Sequence, residues 1–407
     1  MDRRAAIAWT LYDFANSTFV AVIPATVYST YYALAVVGNE RGEGDFWWTF
    51  AVTTSMVIVA LASPPCGAIA DHGGVRKRFL FLLTYLSVAA TALMATVQKG
   101  DVVWGWLLAV AGIVGFEAAI VYYNAYLPDL APPAWQGRLS AYGFAVGYVG
   151  SAVALGVALL FVQRGSLGGA FLATAGLFAV FAIPAFLFLP ADRPATLGLR
   201  ASVRIGFTQT QATLRRILAM PALRRFLLAY LLYEDGINTV VYVSAIFAMH
   251  TLSFERAEVI GLYLIVQLSA LVGAWAWGRP TDFKGPKVVV MVTLVQWCLV
   301  VGVTSIVQTK LQFFGVAILA GTGLGAIQAA SRVFMASLIP KTQAAELFGF
   351  YALVGKTAAI FGPFIFGLAS WLTGGNQRTA ILTVGFFFLA GLVLLQGVKA
   401  GGPTARS

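Results

Sequence analysis

Twelve long apolar runs, separated by polar stretches, dominate this chain of 407 residues. About 20 apolar residues wound as an α-helix span roughly 30 Å of hydrocarbon. Only helices and closed barrels satisfy every backbone amide inside a bilayer. The runs lie at 7–37, 46–70, 79–97, 102–127, 140–162, 168–189, 223–249, 257–277, 287–307, 311–331, 347–372 and 379–398. Gaps such as Asp71-His72-Gly73-Gly74 and Gly374-Gly375-Asn376 hold charges or turn formers, which interrupt helices. Charged residues make up 11% of the chain, against about 25% in soluble domains. The expected fold class is therefore an all-α membrane protein of twelve transmembrane helices.

Several function classes fall away at once. The first run follows Met1-Asp2-Arg3-Arg4 and is too long for a cleavable signal, so it is expected to be the first helix. Cys66 and Cys298 both lie in apolar runs and read as separate thiols acting as small hydrophobes. His72 and His250 stand alone in opposite halves, so no metal, no cofactor and no enzyme site is expected. No phosphate-binding Gly-x-x-x-x-Gly-Lys-Ser/Thr loop is present, which argues against direct ATP drive.

Charge placement sets the orientation. With both termini cytoplasmic, the inner side collects 20 of the Lys and Arg residues, seven of them arginines between 193 and 225, and the outer side six. The reverse orientation would invert the positive-inside bias. The net charge of +11 is this signature and needs no nucleic-acid partner. The linker around Leu214-Arg215-Arg216 and Leu223-Arg224-Arg225 reads either as a plain connector or as a basic amphipathic helix on the inner leaflet. The expected domains are a six-helix bundle over 1–190, a cytoplasmic linker over 191–222 and a second bundle over 223–407.

The halves repeat. Gly67-x-x-x-Asp71-x-x-Gly74-x-Arg76 returns as Gly278-x-x-x-Asp282-x-x-Gly285-x-Lys287, every member displaced by 211 residues. Leu11-Tyr12-Asp13-Phe14-Ala15-Asn16-Ser17-Thr18 aligns without a gap on Leu232-Tyr233-Glu234-Asp235-Gly236-Ile237-Asn238-Thr239, and Glu117 maps onto Gln328. Six-helix halves share one topology, so they are parallel repeats expected to bind substrate at their interface.

The hairpin pattern resembles the signature loop of the major facilitator superfamily along the full chain. It departs at His72, where the family often has a basic residue, and in the second copy, which carries Pro280 and Pro286. Tyr12-Asp13-Phe14-Ala15-Asn16-Ser17, and Tyr123-Asn124-Ala125-Tyr126-Leu127-Pro128 running to Gln136-Gly137-Arg138, resemble its autophagy-related vacuole effluxer branch. The resemblance implies two pseudo-symmetric six-helix bundles, alternating access and an association with amino-acid export. It also implies that helices one, four, seven and ten line a central cavity, and that the hairpin latches the state closed to the cytoplasm. The expected gating-loop residues are Gly67, Asp71, Gly74, Arg76, Asp282 and Lys287, with Asp71 pairing with Arg76 and accepting from a helix N-terminus.

Ionisable groups inside hydrocarbon mark the candidate site, since each costs roughly 2.5–3.5 kcal/mol at a helix centre. There are five: Asp13, Glu117, Glu234, Asp235 and Lys356. Asp13 and Glu234 lie about eight residues into their helices, or ~12 Å at the helical rise. The expected substrate-binding or proton-coupling set is Asp13, Asn16, Glu117, Asn124, Glu234, Asp235, Asn238, Gln328 and Lys356. Asp235 points about 100° away from Glu234, so one of the pair faces the cavity. Interhelical packing explains any single polar member equally well, and Lys356 reads also as a counter-ion. The expected function is a secondary active transporter of a small polar solute in a bacterial cytoplasmic membrane. Amino acids are the candidate cargo, protons the candidate coupling ion and a monomer the expected state. A drug, lipid or sugar carrier and a non-transporting sensor stay open.

Overall fold

The structure, a computed structural model, describes residues 2–38, 43–192, 211–358, 361–374 and 376–398. The first apolar run holds α1 (Arg3–Val22), α2 (Val27–Tyr31) and a π-helical stretch, Tyr32–Val37. One unbroken helix is predicted there; a turn over 23–26 interrupts it, because Pro24 has no N–H to continue the ladder. The remaining first-half elements are α3 (Glu43–Gly73), α4 (Arg76–Leu93), α5 (Val102–Ala125), α6 (Leu127–Leu130), α7 (Pro133–Gln163) and α8 (Leu167–Phe188).

A helix over 211–219, α9, carries Arg215 and Arg216; the linker residues 193–210 lie outside the described residues. The second half runs α10 (Pro221–Thr251), α11 (Arg256–Lys284), α12 (Pro286–Ile306), α13 (Lys310–Leu338), α14 (Ala344–Thr357), α15 (Phe361–Leu372) and α16 (Gln377–Gln396). Local chemistry explains the starts. Pro221 and Pro286 open α10 and α12, positions where a missing N–H costs nothing. Thr309 and Gln312 cap α13 reciprocally, satisfying two amides that have no intrahelical partner.

Among the described residues, ten helical segments are long and apolar enough to cross a membrane. The other two predicted runs, 223–249 and 347–372, are carried by α10 and by α14 with α15, which is consistent with twelve crossings.

The chain forms two compact units. The first comprises Met1–Leu130, Val146–Thr210 and Lys341–Leu353; the second comprises Ala131–Ala145, Gln211–Pro340 and Val354–Ser407. In the first, α4 packs on α5, α1 on α8, and α3 on α5. In the second, α12 packs on α13, α10 on α16, and α11 on α13. These are the same pairings one half-chain later, so the sequence repeat is also a packing repeat. Small residues make the closest approaches possible: a Cβ at Gly150 would overlap the Phe14 carbonyl, and one at Gly325 the Ala270 carbonyl. Lipid gives helices no hydrophobic reason to associate, so such close backbone packing does the holding.

Candidate functional site

In the first unit, α1 carries Asp13 and Asn16, both buried. Asn16 Nδ2 donates to Asp13 Oδ1 at 3.5 Å, and Ser17 Oγ donates to Asn16 Oδ1 at 3.3 Å. Aromatic packing fixes this stretch of α1. Trp9 stacks on Tyr123 at 4.5 Å and Tyr12 on the same ring at 4.9 Å. Trp9 Nε1 also donates to the Tyr123 carbonyl at 3.0 Å. The Tyr12 and Thr84 hydroxyls share a hydrogen bond of 2.6 Å. On α5, Glu117 is half-buried and Asn124 is buried.

The second unit draws its predicted residues together more tightly. Gln328 Nε2, on α13, donates to the Glu234 carboxylate on α10 at 3.1 and 3.4 Å. The Lys356 ammonium, near the end of α14, acts electrostatically on the same carboxylate. Asn238 stands one turn beyond Glu234, half-buried, on the neighbouring part of that helix face. The Tyr233 and Ser331 hydroxyls share a hydrogen bond of 2.7 Å. Asp235 turns elsewhere: both of its oxygens accept from the Gly362 N–H at 3.0 Å.

The two hairpins are built alike. Gly74 and Gly285 have φ of 59° and 84°, left-handed values that favour glycine. A Cβ at Gly67 would overlap the Ala345 carbonyl, and one at Gly278 would lie 2.8 Å from Ala141 Cβ. Each glycine therefore lets a helix cross close by. Asp71 accepts from the Glu346 N–H at 3.0 Å and from Arg76 Nη2 at 2.7 Å. Arg76 Nη1 reaches Asp129 at 2.9 Å. Asp282 accepts from the Gly137 N–H at 2.7 Å, the Arg138 N–H at 3.3 Å and Arg138 Nε at 2.6 Å. Lys287 is not brought to Asp282; its ammonium donates to the carbonyls of Gln396 and Val398 at 3.1 and 2.5 Å.

Two participants were not foreseen from sequence. Asp129 joins the first hairpin as the second carboxylate on Arg76. The apolar run 311–331 stops short of Arg332, but α13 runs on to Leu338 and Arg332 is buried. Its guanidinium donates to Ser140 Oγ at 2.8 Å and to the Ser140 carbonyl at 2.7 Å, with its carbon 4.2 Å from the centre of the Phe144 ring. Its spacing was the available signal, since it follows Gln328 by one helical turn and precedes the apolar Val333-Phe334-Met335. Cys66 and Cys298 are free thiols. The side chains of His72 and His250 lie outside the described part of the structure.

Against known proteins, the family model described as "Vacuole effluxer Atg22 like" matches residues 46–401. The chain belongs to this family. An uncharacterized MFS-type transporter, YxiO, of Bacillus subtilis is 29% identical over 405 residues, covering 95% of this chain and 93% of that one. Autophagy-related protein 22-1 of Penicillium rubens is 22% identical, covering 88% of this chain and 75% of its own length. Among solved structures, the human organic anion transporter MFSD10 superposes with a TM-score of 0.73 at 18% identity, covering 97% of this chain and 98% of that one. The proton:xylose symporter XylE gives 0.72 at 14% identity, covering 97% and 94%. At those identities the structures establish the fold alone. This Atg22-like chain is thus an integral membrane transport protein with the major facilitator fold.

Proposed function

We propose that this Atg22-like chain is a secondary active transporter that carries small zwitterionic solutes of the amino-acid class by alternating access, with protons as the coupling ion. The observation that carries the reading is the Glu234–Gln328–Lys356 cluster, in which a carboxylate on α10 takes a hydrogen bond from α13 and the charge of Lys356. A carboxylate held in a desolvated layer can exchange a proton near neutral pH. The ammonium and carboxylate of an amino acid match Glu234 and Lys356.

In this reading 1–190 and 223–407 are the moving bodies, 191–222 is their connector, and a monomer suffices. Both termini face the cytoplasm of a bacterium, supported by 20 basic residues on that side against six. The hairpin carboxylates Asp71 and Asp282 act as latches, supported by their hydrogen bonds to backbone N–H groups near the start of α14 and in the first turns of α7.

The test is uptake of a mixture of radiolabelled amino acids by proteoliposomes under an imposed pH gradient. Gradient-driven accumulation is expected. Glu234→Gln should reduce it at least tenfold, while exchange down a solute gradient continues. Uptake indifferent to the gradient sinks proton coupling, and no uptake of any amino acid sinks the solute class.

A further inference from the structure

Glu234 and Asp235 are adjacent acids on α10, and they serve different elements. Neighbouring residues on an α-helix point about 100° apart. Glu234 meets Gln328 on α13, whereas Asp235 meets α15, where both carboxylate oxygens lie 3.0 Å from the amide nitrogen of Gly362. Ala358 lies in a turn outside α15, so Gly362 falls within that helix's first four residues, whose amides have no partner within the helix. A carboxylate there satisfies one of those amides and complements the positive end of the helix dipole.

The surroundings are shaped for this contact. Asp235 is 2% exposed, so its charge needs donors inside the protein. Its backbone carbonyl accepts from Thr239 Oγ1 at 2.7 Å. A Cβ at Gly362 would overlap that same Thr239 hydroxyl and lie 3.0 Å from Asp235 Oδ1. Glycine at 362 therefore allows the close approach of α15 to α10 that brings amide and carboxylate together.

We propose that Asp235 is a positioning residue, a cap donated by α10 that seats the first turn of α15, and that solute and proton handling fall to its neighbour Glu234. The division of labour rests on the transporter reading above; the cap itself does not. A cap needs a short side chain with an acceptor oxygen, which Asn and Ser supply without a carboxyl group. A proton carrier needs the carboxyl, which Glu supplies one methylene further out.

Hydrogen exchange on the full-length protein in detergent separates these cases without any solute. In the unmodified protein the Gly362 amide should exchange slowly; fast exchange there overturns the proposal. Asp235→Asn and Asp235→Ser should keep that amide within about twofold of the original rate. Asp235→Ala should speed it about fivefold or more, as loss of a helix cap does. If Asp235→Asn and Asp235→Ser speed exchange at Gly362 as much as Asp235→Ala does, the cap is wrong. Transport gives a second arm: Asp235→Asn should retain gradient-driven amino-acid uptake under conditions in which Glu234→Gln loses it. Loss of pH drive in Asp235→Asn with normal protection at Gly362 makes Asp235 a proton carrier and overturns the proposal. Should neither variant nor the original chain move amino acids, the transport reading fails while the exchange result still judges the cap.

Discussion

The two hairpin aspartates make nearly the same backbone contact and neutralise it differently. Asp71, at the end of α3, accepts the Glu346 N–H, and its cation is Arg76, five residues on in its own hairpin. Asp282, near the end of α11, accepts the N–H groups of Gly137 and Arg138, and its cation is the Arg138 side chain of that same helix, α7. What repeats across the chain is a carboxylate set on backbone amides in the first turns of a helix, where the dipole favours negative charge. The cation is the replaceable part. It arrives from whichever element lies within reach, so the motif's basic position does not identify the ion pair.

Removing Arg76 should break the comparison hardest. Its guanidinium joins Asp71 at 2.7 Å, Asp129 at 2.9 Å and the Ala125 carbonyl at 3.2 Å, with the three side chains largely buried. Arg76→Ala leaves two carboxylates facing each other without their shared cation. Breaking a buried pair by deleting one partner costs about 3–5 kcal/mol, and a thermal melt in detergent should show a loss of this order. Arg76→Lys should recover only part, since one compact ammonium cannot fork between two carboxylates. A neutral Arg76→Ala would mean the hairpin is held by its backbone geometry alone.

Arg138→Ala is the milder counterpart. The substitution deletes a hydrogen bond of 2.6 Å to Asp282, yet the amides of residues 137 and 138 remain to serve the carboxylate. The expected loss is about 1.5–3 kcal/mol, the range for one hydrogen bond to a charged group, so its melt should fall between those of the parent and Arg76→Ala. Trp135, stacked on the guanidinium with 3.5 Å from its carbon to the ring centre, contributes within that figure through its cation–π contact. If the two alanine variants cost the same, the backbone amides do not hold Asp282, and the proposed difference between the hairpins disappears.

How much of this was legible beforehand depends on whether the interaction is written in spacing. Run lengths place the helices, because hydrocarbon thickness sets their span, but they do not show that the first run breaks at the turn over 23–26. The pairing of Asp71 with Arg76 is local, five residues apart, and the repeat makes it visible. Asp129 and Arg138 are not readable as partners, since they meet their hairpins through tertiary packing 53 and 144 residues away. Arg332 is not readable as a helix residue, because a charge ordinarily ends an apolar run. A buried arginine held by Ser140 lets the helix continue past it, and only its position one turn beyond Gln328 hints at this. Glu234 and Asp235 were legible as a pair whose members diverge, but not which neighbour each would meet.

Lys287 gives the sharpest small test. It stands 211 residues after Arg76 and 210 after Lys77, so the motif and the structure pair it with different residues. In the first hairpin, Lys77 Nζ donates to the carbonyl of Leu189, where α8 ends. Lys287 does the same job at the end of α16, donating to Gln396 and Val398. Both ammoniums thus sit at helix C-termini, where the last carbonyls lack partners and the dipole favours a cation. Each such contact is worth about 0.3–1 kcal/mol near a surface. Lys77→Met and Lys287→Met should therefore lower the melt by similar, small amounts, well below the effect of Arg76→Ala. A Lys287→Met loss as large as that of Arg76→Ala would restore the motif's register and make the lysine part of the second latch.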